Sequence, residues 1–310
     1  DGRQASDTFN KILRVLQLGG NNQSMALDDT RALLYVTNQD SPAQSLFQAR
    51  VFIVDTNPIS PTFLQLVGTV TMPVGATVRG VALNRNTNKV YVASGGDGSS
   101  PGVHEIDGVT RVATRLNTGG AFEVLVNEAK NVVFALGASG PTGADTRVIA
   151  VNVAGGYAVK ELLLTNVRTT FSPSYRWAVH EASGRVYVRS NQVSGPGKVV
   201  AIDGDPANSA SFGTVVGEIP VGRDSGADVD VDQSLHLVVT TSPVDLTTHV
   251  VDGNGSTFAT TAHSTRQLGE IVINQATHLA YLTGLTEVHR INLSTRAVEG
   301  STVTGAEASI

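Results

Sequence analysis

Glu123, Arg176, Asp228 and Glu270 each stand three residues before an apolar strand residue (Val126, Val179, Val231 and Ile273), and Ser24 and Gly80 hold the same place before Leu27 and Leu83. One residue earlier come Gln23, Arg79, Phe122, Tyr175, Ala227 and Gly269. An architecture that brings these equivalent places together gathers three carboxylates and two arginines at one mouth. Carboxylate oxygens are hard ligands that suit Ca²⁺, which makes Glu123, Asp228 and Glu270 the candidate metal ligands. A cation held there could polarise an ester or lactone carbonyl and activate water. The arginines could instead grip an anion in bidentate fashion, giving a candidate ligand-binding set of Arg79, Glu123, Tyr175, Arg176, Asp228 and Glu270. The same residues could also form a purely structural ring of ion pairs, Arg176 with Glu123 or Asp228.

Other chemistry is sparse. Seven histidines are scattered, and none stands in HExxH or another short metal spacing. His180 follows Arg176 and Trp177 and is the histidine to weigh for catalysis, beside Arg176 and Glu123. His236 and His278 fall in equivalent turns and read as surface. His104 and His289 occupy matching strand positions in different segments and are not expected to meet. The acidic run Gly222–Asp232 lacks the spacing and terminal Glu of an EF-hand loop. There is no GxSxG, no P-loop and no dinucleotide fingerprint. Haem-attachment and copper-ligand patterns are missing as well. Trp177, Tyr175 and Phe122 form either an aromatic wall for a ligand or core. Whether the chain is an enzyme stays open on these residues.

The elements that would position these residues come from a repeat. An apolar strand, a polar turn and an aromatic-centred strand recur as MALDDTRALLYVTN from Met25, VALNRNTNKVYVAS from Val81 and AVHEASGRVYVRS from Ala178, with further copies from Leu125, Asp230 and Val272. The second-strand anchors Tyr35, Tyr91, Phe134, Tyr187, Val239 and Tyr281 lie roughly 40–55 residues apart, near the blade period of about 40–50. A third strand closes each unit on Asp or Asn: Asp55, Asp107, Asn152, Asp203, Asp252 and Asn292. Such a side chain can bond the backbone two residues on, so a hairpin turn should follow. A fourth strand then often ends on Gly, as at Gly75, Gly120 and Gly222. Four antiparallel strands per repeat make one propeller blade. The sequence therefore predicts an all-β chain, one β-propeller domain over residues 1–310, with six blades favoured and seven open. Residues 12–20, ILRVLQLGG, read as a fourth strand that would close the ring by pairing with the last repeat. Longer loops at 39–50, 56–66, 139–145 and 191–197 are candidate binding loops.

The string YVTN at Tyr35–Asn38, with NTNKVYVAS and IDG in the next unit, resembles the YVTN β-propeller repeat family over roughly residues 18–300. The resemblance implies a bacterial or archaeal chain, often exported or surface-located, and commonly seven-bladed; it specifies architecture and no activity.

Composition bounds the rest. Hydrophobic residues are 41% and charged residues 16% of 310, which suits a folded chain rich in short strands. The net charge of −5 and the lack of any Lys/Arg-rich run argue against a nucleic-acid partner. No apolar run reaches the ~20 residues that span a bilayer. Cysteine is absent. With no Met at the start, the chain reads as a mature exported protein of the periplasm or cell exterior after signal-peptide removal. The function expected is an exported, monomeric binding or scaffold module, taking a protein or small molecule through its channel mouth and blade loops. The alternative is a Ca²⁺-type metal-assisted hydrolase, lactonase or lyase.

Overall fold

A computed structural model describes residue 12 and residues 14–39, 48–95, 100–139, 145–165, 177–190, 197–222, 228–255, 257–265, 269–284 and 287–303. It contains six four-stranded antiparallel sheets, each built from consecutive strands in chain order. The first is β1 (Asn21–Asp28), β2 (Leu33–Gln39), β3 (Arg50–Asp55) and β4 (Leu66–Thr71). The second is β5 (Val78–Asn84), β6 (Lys89–Ser94), β7 (Gly102–Asp107) and β8 (Ala113–Arg115). The third is β9 (Glu123–Asn127), β10 (Val132–Ser139), β11 (Asp145–Asn152) and β12 (Ala158–Leu164). The fourth is β13 (Trp177–Val179), β14 (Val186–Ser190), β15 (Lys198–Ile202) and β16 (Val215–Pro220). The fifth is β17 (Val229–Asp232), β18 (Leu237–Ser242), β19 (Thr247–Asp252) and β20 (Thr260–Ser264). The sixth is β21 (Ile271–Asn274), β22 (Leu279–Thr283), β23 (Glu287–Asn292) and β24 (Ala297–Val303). These are the blades of a six-bladed β-propeller. No helix occurs among the described residues, and so none there is long and apolar enough to cross a membrane.

The chain divides into two compact units, Asp1–Val124 and Leu125–Ile310, with the division inside β9. In the first unit, one apolar cluster joins the first two sheets, with Tyr35, Val51 and Ile53 against Val78, Val90 and Val92. In the second unit three clusters repeat this: Phe134 and Trp177 between the third and fourth sheets, Tyr187 and Val238 between the fourth and fifth, Val239 and Leu282 between the fifth and sixth. Each fully buried aliphatic or aromatic side chain contributes roughly 1.5–3 kcal/mol. The repeat anchors Tyr35, Tyr91, Phe134, Tyr187 and Val239 are all buried, as expected for the middle of a blade; Tyr281 is only partly so. Met25 of β1 is exposed, whereas its equivalents Val81, Val124, Trp177, Val229 and Ile271 are buried; β1 has no preceding sheet in chain order.

Turn chemistry repeats with the same regularity. Ala32, Asn88, Asn131, Gly184, His236 and His278, each three residues before an anchor, all have φ between 52° and 74°. That left-handed residue closes the hairpin from first to second strand. At the third-strand ends, Asp55, Asp107, Asn152, Asp203, Asp252 and Asn292 each accept a backbone N–H two or three residues on, so the expected side-chain-capped turns form in all six blades.

The sequence expected a ring-closing strand over residues 12–20. Residues 14–19 belong to no strand. β24 pairs with β23 from Glu287↔Val303 to Asn292↔Ala297.

Close packing in the second unit can be tested at Gly217 of β16. A Cβ there would lie 2.1 Å from the Phe258 ring, which is itself buried. Gly217→Val should lower unfolding free energy by about 1–3 kcal/mol through overpacking, read as a shifted denaturant midpoint. An unchanged midpoint would show that Phe258 swings away freely.

Candidate functional site

In the first unit, the start of β5 is pinned from both sides. The Thr37 hydroxyl donates to the Arg79 carbonyl at 2.6 Å, and the Gly80 N–H donates to the Phe122 carbonyl at 3.0 Å. These bonds fix the backbone of Arg79 and place its guanidinium over the Phe122 ring, 5.2 Å from the centroid. The buried Nε of Arg79 has no hydrogen-bond partner. Glu123, buried at the head of β9, lays its carboxylate against Gly80, 2.8 Å from where a Cβ would stand. A side chain at position 80 would displace it. Arg79 and Glu123 thus come together in one neighbourhood, as the repeat register requires.

In the second unit, Asp228 and Asp230 alternate along one face at the head of β17. Asp228 Oδ2 accepts the Ile271 N–H at 2.9 Å, and Asp230 Oδ2 accepts the Ile273 N–H at 3.0 Å. Their Oδ1 atoms accept the N–H groups of Val229 and Val231, both at 2.8 Å. The two carboxylates therefore satisfy the unpaired edge of the neighbouring inner strand β21. Burial, joined by the negative charges of Asp230 and Glu270, pushes Asp228 up to about 6. Asp230 is also raised, chiefly by burial. Glu270 is exposed, and its backbone N–H is held by the Thr283 hydroxyl at 2.9 Å. The same threonine position serves elsewhere: Thr37 accepts from the Ser24 N–H and Thr241 from the Asp228 N–H.

His180 lies at the opposite end of its strand, and its role is legible from the repeat. Asp28, Asn84, Asn127, Asp232 and Asn274 hold the equivalent place and cap the following turn. His180 Nδ1 does the same, accepting from the Ser183 N–H at 3.3 Å and meeting its hydroxyl at 2.8 Å. Nε2 faces the Gln233 carbonyl at 2.8 Å, which only accepts, so Nε2 carries the proton. The ring stacks on His236 at 3.6 Å between centroids and 7° between planes. His236 bonds Asn254 Oδ1 through Nδ1 and the Tyr187 hydroxyl through Nε2 at 2.7 Å. The expectation that His236 is a surface residue is thus overturned: the turn folds its ring under the neighbouring blade, and it is 4% exposed. Burial and the adjacent His180 bring His236 down to about 4, while burial pushes Tyr187 up to about 12. His180 is lowered too, mainly by burial. The three groups are closed to solvent.

Tyr175 and Arg176 lie outside the described residues, as do 223–227 of the acidic run and most of the long loops at 39–50, 139–145 and 191–197. Trp177 is core, 5% exposed within the cluster between the third and fourth sheets. Among the described residues no group of three or more His, Asp or Glu is disposed to hold a metal ion. Of the candidate ligands, Glu123 belongs to the first unit and Asp228 and Glu270 to the second. Sequence reasoning missed Phe122 as a platform for Arg79; the signal was present, since both occupy the same repeat position in consecutive blades.

No protein-family model matches this sequence, and no curated protein matches it. Solved structures do. Hydrazine synthase of Kuenenia stuttgartiensis matches with a TM-score of 0.62 at 12% identity, over 90% of this chain and 79% of that one. The β-propeller domain of Cps50 (Swd1) from Myceliophteria thermophila matches with a TM-score of 0.60 at 8% identity, over 96% of this chain and 90% of that one. At such identities the likeness concerns the fold alone, and the fold is a β-propeller.

Proposed function

We propose that this chain is a non-catalytic binding module that takes its ligand by a carboxylate or similar planar anion at Arg79. One observation carries the proposal: a guanidinium over the Phe122 ring, with its backbone fixed on both sides and a buried Nε that has no hydrogen-bond partner. An arginine held over an aromatic ring keeps its planar fork of donors in place, which suits bidentate capture of a carboxylate. A generic binding role also fits the propeller neighbours. Export to the periplasm or cell surface belongs to the same proposal and rests on the YVTN-type repeats; cell fractionation tests it.

The metal-assisted alternative has less support. Asp228 spends both oxygens on backbone N–H groups, and its carboxyl is raised toward neutrality, which weakens it as a ligand for a hard cation.

The test is calorimetric titration with acetate, succinate, citrate and inorganic phosphate. Arg79→Gln should weaken the best of these at least about tenfold, since a hydrogen-bonded charge is lost. Arg79→Lys should recover only part, because an ammonium cannot form the fork. Absence of binding by all four anions, or equal affinity in Arg79→Gln, refutes the proposal.

A further inference from the structure

A groove of about 670 Å³ opens in the second unit, away from the residues considered so far. Small-molecule sites commonly fall between about 300 and 1,000 Å³. Asp245 and Leu246 reach it from the turn after β18, and Glu287 and His289 from β23. Ser264, Thr265 and Ser301 add hydroxyls. Three features define its chemistry. Two carboxylates make it acidic. His289 is 8% exposed, and its Nε2 has no hydrogen-bond partner. The nearest acidic oxygen, Glu287 Oε2, is 3.9 Å away, beyond hydrogen-bond reach. Leu246 stands 42% exposed at the lip, with φ of 53°, so an apolar side chain is held outward by a left-handed backbone.

A buried imidazole nitrogen without a partner is uncommon and costly. The contrast with the second blade is direct. His104 occupies the same third-strand position; its Nε2 meets the Ser100 carbonyl at 3.2 Å, and Nδ1 is its buried nitrogen without a partner. In the sixth blade that place on the imidazole is unfilled. Arg290, the next residue along β23, turns to Glu299 instead, at 3.0 Å.

We propose that this groove binds a ligand presenting an ammonium or guanidinium group. Glu287, whose Oε2 lies 3.9 Å from His289 Nε2, supplies the countercharge beside the Asp245 carboxylate. His289 Nε2 accepts one ligand N–H, and Leu246 covers the methylenes behind the charged head. An anionic ligand would meet two carboxylates and is disfavoured. The ammonium or guanidinium comes either from a free small amine or from a Lys or Arg side chain of a partner protein.

The test titrates the intact chain with agmatine and with the peptide acetyl-Gly-Lys-Gly-amide, using pentanoate as the anionic control. Glu287→Gln and His289→Asn should each weaken binding about tenfold or more. Glu299→Gln, a carboxylate removed outside the groove, should leave it unchanged. Tighter binding of agmatine marks a free amine as the ligand; tighter binding of the peptide marks a basic side chain. The proposal is overturned if neither probe binds at low salt, if pentanoate binds as well, or if Glu299→Gln weakens binding as much as Glu287→Gln. Amide NMR of Leu246 and Ser301 in the same titrations places the probe even where His289→Asn lowers stability. Shifts confined to other residues would also overturn it.

Discussion

Acidification from pH 7.5 to 4.5 will destabilise this protein through its stacked imidazoles, and His236→Asn will remove much of that sensitivity. Both rings are locked in neutral tautomers. His236 Nδ1 donates to Asn254 Oδ1, so Nε2 must accept from Tyr187. His180 Nε2 donates to the Gln233 carbonyl, so Nδ1 must accept from Ser183. A second proton on either ring ends one of these bonds and places a cation 3.6 Å from its neighbour. Arg185 nearby opposes protonation as well, against weaker help from Asp252 and Asp232. The sign follows from linkage. A histidine whose folded value is depressed gives stability that is present above its unfolded value and is lost as pH falls toward the folded one. For His236 the window runs from 6.5 down to about 4, and the loss is on the order of 3 kcal/mol across it.

Asp228 works the other way. Its folded value is raised to about 6, so its contribution is present below the unfolded value of 3.8 and lost as pH rises through about 6. The wild-type curve is therefore a partial cancellation, and difference curves carry the information. Asparagine already occupies the left-handed turn position at Asn88 and Asn131, so His236→Asn keeps the turn. The variant should be about 1 kcal/mol weaker at pH 7.5, for the lost Tyr187 bond, and should overtake wild type a little below about pH 6. Denaturant titrations at a series of pH values read this directly. Parallel curves for the two proteins would show that the pair does not titrate.

The largest single-residue loss is expected at Arg189→Ala. Arg189 is the bulkiest of the fully buried side chains in β14, at 0% exposure. Its position is the one that carries Thr37, Thr241 and Thr283 in other blades. One terminal nitrogen donates to the Gly222 carbonyl at 2.9 Å and reaches the Thr241 carbonyl at 3.4 Å; the other approaches the Lys198 carbonyl at 3.5 Å. Gly197 packs its backbone on the same guanidinium. Truncation leaves carbonyls without donors and a cavity between the fourth and fifth sheets. The cost should be about 3–5 kcal/mol. Arg189→Met, which fills the space without donating, should cost less than Ala and more than Lys. A loss under about 1 kcal/mol for Arg189→Ala would mean that water or a neighbour replaces the guanidinium without penalty.

The blades were legible in the sequence because their signals are local. The anchors Tyr35, Tyr91, Phe134 and Tyr187 each mark the middle of a second strand, and the capping Asp and Asn residues each mark a turn. What was illegible depends on contacts between repeats. His236 reads as a turn residue and is one, but only its neighbour His180 reveals that the ring is buried. Asp228 reads as a ligand because its carboxylate falls at the right register; its actual partners are N–H groups of β21, and backbone donors leave no trace in residue identity. Residues 12–20 read as a fourth strand, yet 14–19 join no sheet. The paired positions of Arg79 and Phe122 followed from the register, while the cation–π contact between them is a feature of the folded chain.

The binding proposal is tested most directly by a crystal structure of the protein soaked in succinate. The expected result is a carboxylate lying in the plane of the Arg79 guanidinium, with two oxygens about 2.7–2.9 Å from its nitrogens, and the guanidinium still over the Phe122 ring. A structure in which a carboxylate of the protein itself already fills that plane, with succinate absent or bound elsewhere, would contradict it.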